Sequence, residues 1–181
     1  MERTAELEAL RDDITVRQKK GLPFIMASVV IWGLITAVCF LGLPVLTRNF
    51  LVFCCSCPLL PIAWAAGRAL KVDIFDKENP LGELGLLFTF NQMIYLLIVM
   101  WVYSAVPEKM VMVHAMVFGA HLLPYSWLYK SRAYIIFSIV LPILALIVGL
   151  KCSALVLAIV MTAAEILFAA LLFLENGKLN S

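Results

Sequence analysis

In 181 residues the chain carries 64% hydrophobic and only 14% charged side chains, roughly half the charge density of a soluble domain. That excludes an ordinary water-soluble globule, and a net charge of +2 is too small to argue for nucleic acid as a partner. What remains is an all-α membrane protein, multi-pass in a cell membrane, whose first partner is the lipid bilayer.

Residues 1–20 are the one extended hydrophilic segment. Leu7, Leu10 and Ile14 recur at helical spacing behind a possible cap at Thr4. The acids Glu2, Glu6, Glu8, Asp12 and Asp13 lie toward the start, and Arg17, Lys19 and Lys20 lie at the end, an order that suits the helix dipole. This predicts a short amphipathic helix that lies on the membrane surface or covers the inner end of the bundle. The charge of this segment is unlike a cleavable signal peptide.

Residues 21–175 read as a six-helix transmembrane domain, each span near the length needed to cross the bilayer. Gly21, Leu22 and Pro23 end the first helix, and span one covers 24–43 with Trp32 at its middle. That depth is wrong for an interfacial anchor and predicts packing against another helix. Arg48 and Asn49 fall in a tight outer turn. Span two, 50–67, contains Pro58 and Pro61, which predict a kink. Its Ala63, Ala65, Ala66 and Gly67 permit close approach of a neighbour. A polar loop over 68–82 leads to span three, 83–106, which holds Asn91, Gln92 and Tyr95. Span four, 110–129, carries both histidines, His114 and His121, with Pro124. Tyr125, Trp127 and Tyr129 at its end read as an interfacial girdle. Span five, 133–150, contains Pro142. Span six, 152–174, contains Glu165, and 176–181 form a polar tail.

The five cysteines are Cys39, Cys54, Cys55, Cys57 and Cys152, all in or beside apolar runs without the spacing of a disulfide frame. On a helix, Cys54, Cys55 and Cys57 point in divergent directions and read as space-filling thiols rather than a metal clip.

Basic residues set the expected orientation. Arg3, Arg11, Arg17, Lys19, Lys20, Arg68, Lys71, Lys77, Lys130, Arg132 and Lys178 fall on one side of the six-span arrangement. Only Arg48, Lys109 and Lys151 fall on the other. Under the positive-inside rule both termini are cytoplasmic.

With alternating directions, Asn91 lies about 12 Å from the inner face, His121 at a similar depth, and Glu165 about 15 Å from the same side. Three helices thus place Asn91 or Gln92, His121 and Glu165 in one slab, with Tyr95 on the face of Asn91 and His114 two turns from His121. Ionisable groups at such depth turn toward a bundle interior or a wet cavity. A locked polar knot that fixes helix register is the bland alternative. Pro124 frees the carbonyl of Ala120 beside His121, and Pro58, Pro61 and Pro142 are further positions where a helix is expected to break or bend.

No HExxH, GxSxG or paired intramembrane aspartates are present, so no catalytic residue is assigned. His121 and Glu165 supply only two plausible metal ligands, and no metal or cofactor is expected. The division 1–3 and 4–6 raises a 3+3 inverted repeat, because three crossings reverse orientation. The reading favoured is a small transporter or channel-like protein for a small solute or ion, using a buried polar centre that opens toward the cytoplasm. The alternatives are a non-transport scaffold or regulatory subunit, and a small membrane enzyme acting on a lipid or isoprenoid. A homo-oligomer is compatible with each.

Overall fold

In hydrocarbon a helix satisfies its own backbone hydrogen bonds, and the long apolar runs of this chain are helical. The computed structural model describes residues 2–177, and among them no strand occurs. The helices are α1 (Glu2–Arg17), α2 (Leu22–Phe40), α3 (Val45–Cys55), α4 (Leu59–Leu70), α5 (Leu81–Ala105), α6 (Met110–Ala120), α7 (Leu123–Leu128), α8 (Arg132–Lys151) and α9 (Ala154–Gly177). Five stretches are long and apolar enough to cross a membrane: Lys19–Phe40, α5, Pro107–Leu128, α8 and α9. The pair α3 and α4, bent by 40° at a short break, makes a sixth when taken together.

That pair runs from end to end of the bundle. In α3, Asn49 Nδ2 donates to the Pro107 carbonyl (2.6 Å) at one end. At the other, the Leu70 carbonyl of α4 accepts from Lys19 Nζ (2.8 Å). Pro58 stands at the break and Pro61 in the first turn of α4, where a helix has no partner for its amides in any case. The two prolines therefore end one helix and begin another rather than kink a single one. Pro142 does the opposite, since α8 runs through it without a break.

Several boundaries differ from those expected of the sequence. The reversal after α1 falls at Lys19, Lys20 and Gly21, all left-handed with φ of 46°, 53° and 67°, and Pro23 sits inside the first turn of α2. Asn49 belongs to no turn: it lies in α3 and is fully buried, because its amide clamps the neighbouring loop. The α9 helix continues to Gly177, past the start assigned to the tail, while Lys178 and the rest of the tail lie outside the described residues. Helix breaks fall between α3 and α4 and between α6 and α7, which are not corresponding places in a 3+3 division of the chain.

The core gathers around α2, which packs on α9, α4 and α3. Trp32 is buried against α6, its ring 5.7 Å from His114 and 5.9 Å from Phe118. Thr36 and Thr162 share a hydrogen bond of 2.9 Å between α2 and α9. On the other side α6 and α8 approach closely at two glycines. A Cβ on Gly119 would stand 2.6 Å from Pro142 Cδ, and one on Gly149 would stand 2.4 Å from Met112 Cγ. Phe137 and Phe168 stack at 4.5 Å to join α8 to α9. The bundle's exterior is a belt of exposed apolar side chains, among them Leu87, Ile94 and Trp101 of α5, Ile136 and Ile143 of α8, and Phe173 of α9. No soluble monomer carries so large an apolar surface; lipid is the medium it fits.

One end of the bundle is rich in charge, and α1 lies across it. Arg11 donates to the Trp127 carbonyl (3.0 Å), and Lys130 reaches Asp12 (2.6 Å) and Glu8 (2.8 Å). Asn79 Nδ2 donates to the Leu10 carbonyl (2.8 Å), and Arg17 pairs with Asp76 and Glu78 of the same loop. Lys20 pairs with Glu175 at the foot of α9 (2.6 Å). The helix is thus tied to the loop after α4 and the turn after α7, and the elbow that follows it to the end of α9.

A polar cavity inside the bundle

Most interior positions of a membrane bundle are filled by aliphatic and aromatic side chains, so the few buried polar atoms define the site. Ser28 is one such position in α2. Its Oγ lies within hydrogen-bond reach of two acceptors, the Ile25 carbonyl (2.7 Å) and a carboxyl oxygen of Glu165. A hydroxyl has one proton to give. Ser28 therefore serves one acceptor at a time, donating to a carboxylate, or donating to the Ile25 carbonyl while accepting from a protonated carboxyl.

Glu165 itself is fully buried on α9, and its second oxygen, Oε1, has no hydrogen-bond partner among the described residues. Ser28 lines a narrow cavity of about 40 Å³, whose wall runs from Gln18 and Gly21 at the charged end to Gln92 and His121. A second, smaller space of about 20 Å³ shares Ser28 and Gln92 with the first and is lined further by Ser56, Trp32 and His114. There His114 Nε2 stands 3.3 Å from Ser56 Oγ, and His114 Nδ1 is buried without a partner.

His121 lies at the break between α6 and α7, which Pro124 enforces from the first turn of α7. Its Nδ1 contacts the Phe118 carbonyl of the preceding turn, one of the groups left free where a helix stops. No hydrogen bond joins His121 to Glu165. The carboxyl reaches the cavity through Ser28 instead.

Neighbouring residues on a helix diverge by about 100°, and on α5 that separates the two amides. Gln92 is buried and lines both spaces. Asn91 faces outward with Tyr95, in a lateral groove that also touches His121 and Pro124. His121 is thus shared between the interior cavity and the exterior groove.

Aromatic rings make up much of the cavity wall. Tyr125 and Tyr129 are buried in it, not interfacial as their place in the girdle implied, and only Trp127 stays at the surface, with the Arg11 guanidinium 4.4 Å over its ring. Each tyrosine hydroxyl is engaged at the charged end. Tyr129 donates to Gln18 Oε1 (2.7 Å), Tyr134 to the Lys20 carbonyl (3.0 Å) and Tyr125 to the Gly85 carbonyl (3.1 Å). A Cβ on Gly21 would fall 2.9 Å from the Tyr129 ring and 3.0 Å from the Tyr134 hydroxyl, so glycine there lets the elbow close on the rings.

Sequence reasoning missed Ser28, Gln18, Thr89, Ser56 and Tyr134. Ser28 had a readable signal, a lone hydroxyl in an apolar run. Gln18 had none, because its role depends on how the elbow folds back. Among the described residues no Lys, Arg, Asp or Glu lines the cavity. Among the described residues no three His, Cys, Asp or Glu side chains come together in a way that holds a metal.

No curated protein and no solved structure matches the chain. A family match extends over residues 7–175, from α1 to the foot of α9. This chain therefore belongs to the family of unknown function DUF7010.

Proposed function

We propose that this protein is a small transporter or channel-like protein for a small solute or ion, set in a cell membrane with its charged end and both termini in the cytoplasm. The observation that carries the reading is the pair of narrow adjoining spaces among the apolar helices, at which Gln18, Ser28, Gln92 and His114 place polar groups. A bundle selected only for packing fills such space with side chains, and polar groups at this depth are costly unless they serve a solute, water or one another.

Purified protein in liposomes tests it. Osmotic swelling in a panel of small neutral solutes and conductance in a panel of ions should both be compared with protein-free vesicles. Flux that falls several-fold in Gln92→Leu and Ser28→Val, with melting temperature retained, is the expected result. Vesicles indistinguishable from the lipid control across both panels end the reading.

A second reading rests on a different feature. Asn91 and Tyr95 face outward from α5 among Leu87, Ile94 and Ile98, and an amide on a lipid-facing surface gains from a partner helix. That supports a scaffold or regulatory subunit. Asn91→Leu should then abolish a stable complex with another membrane protein or a second copy, and leave flux untouched.

A further inference from the structure

We infer that the ion this bundle passes is the proton, handed between Glu165 and His114 through Ser28 and through water held in the narrow interior spaces. The inference rests on the transport reading for its physiological meaning and narrows that reading to one ion.

Size selects first. The two spaces measure about 40 Å³ and about 20 Å³, and a water molecule needs roughly 10–15 Å³ of such room. They accommodate a few waters and exclude a hydrated metal ion or an organic solute. Buried water also needs about two to four polar partners, and Ser28, Ser56, Gln92 and His114 all line the smaller space. His114 makes the clearest demand, being only 4% exposed. Its Nε2 stands 3.3 Å from Ser56 Oγ, and its Nδ1 has no partner among the described residues. The described residues around it come from α2, the break after α3, α4, α5 and α6, and none is Asp, Glu, Lys, Arg or Cys. From α9, Glu165 is linked to the space through Ser28. From α8, Tyr134 lines the larger space with its hydroxyl held by the Lys20 carbonyl, while Arg132 and Lys151 stand at that helix's two ends.

A proton needs no room of its own, only neighbours that accept on one side and donate on the other. Glu165 touches Ser28 and lines neither space, so Ser28 is the link that the relay requires. The two hydrogen-bond arrangements open to Ser28 differ by one proton on Glu165. In the transfer, the protonated carboxyl gives its proton to Ser28 Oγ as the Ser28 hydroxyl gives its own to a water. That water passes a proton to His114 Nδ1, the nitrogen left as acceptor when Nε2–H donates to Ser56. Serine and water end as they began, and a neutral pair has become carboxylate and imidazolium. The row of groups also covers most of the bundle's length. The larger space begins beside Gln18 at the charged end. His114 lies four residues into α6, about 6 Å from the start of that helix at the opposite end.

Full-length protein in liposomes, labelled with ¹⁵N at histidine alone, tests the inference by magic-angle-spinning NMR. The chain's two histidines give two sets of ring signals, and His114→Gln identifies those of His114. We expect magnetisation to pass from bound water to the His114 ring, and to fall several-fold in Ser28→Val, which fills the shared space. Proton flux, read by an entrapped pH-sensitive dye under a potassium diffusion potential, should exceed that of protein-free vesicles. It should fall by at least roughly tenfold in Glu165→Gln and His114→Gln, as expected when a proton-transfer group is lost, with melting temperature retained. If either variant does not fold, Ser28→Ala, which removes the link between carboxyl and water, replaces it. No water contact at His114, proton flux equal to the lipid control, or unchanged proton flux in these variants would each overturn the inference. Passage of other solutes or ions without protons would overturn it and leave transport standing. Passage of nothing at all would remove both, whether or not water reaches His114.

Discussion

Single side chains at close approaches carry the sharpest consequences. Gly119 sits where α6 meets α8, and a methyl there would collide with Leu141 Cβ at 2.8 Å as well as with Pro142. Proline and a Cβ cannot swing aside, so Gly119→Ala should cost about 1–3 kcal/mol, read as a lower melting temperature in detergent. At Gly149 the obstructing atoms all belong to the Met112 side chain, which is flexible, and Gly149→Ala should cost less than Gly119→Ala in the same measurement. Asn49 is buried and donates to the Pro107 carbonyl. Its replacement by Ala leaves that carbonyl short of a donor and should destabilise by about 1–3 kcal/mol. None of these costs depends on any solute.

Among the elements, α1 is held by charge and therefore answers to pH. Hydrogen bonds from Lys130, then Arg11, hold the Glu8 carboxyl below its ordinary value of 4.5. Hydrogen bonds from Asn79 and Arg17 hold Asp13 below its ordinary 3.8. A carboxyl lowered in the folded state stabilises it fully above the ordinary value, and that contribution is lost as pH falls through the lowered one. Hydrogen exchange over residues 2–17, corrected for intrinsic rate, should therefore quicken below about pH 4 while α8 and α9 keep their protection. Exchange in α1 that stays level across this range would show that the ion pairs do not hold it. The elements themselves were largely legible in the sequence, because an apolar run of bilayer length has few alternatives to a helix. What each proline does was not legible. Pro58 stands at a break and Pro142 does not. The site was half legible: burial of Glu165, His114 and Gln92 follows from their cost in lipid, but the link through Ser28 and the outward turn of Asn91 depend on helix rotation.

For the whole molecule, the segregation of charge makes orientation measurable. Lys77→Cys at the charged end should be labelled by a membrane-impermeant maleimide only from the cytoplasmic side, and Lys151→Cys only from the opposite side, in a background lacking the native cysteines. Reversed labelling would invert the topology and with it the side from which the cavity is entered. The clasp formed by α1 also has a bearing on how the protein is made. Lys20 pairs with Glu175, 155 residues downstream, and Asn176 donates to the Lys19 carbonyl across a similar separation. During synthesis α1 can engage the loop after α4 well before the elbow at Lys19 and Lys20 has α9 to grip. The charged end is consequently fastened in stages, first by the loop after α4, then by the turn after α7, and the arrival of α9 adds the elbow's share.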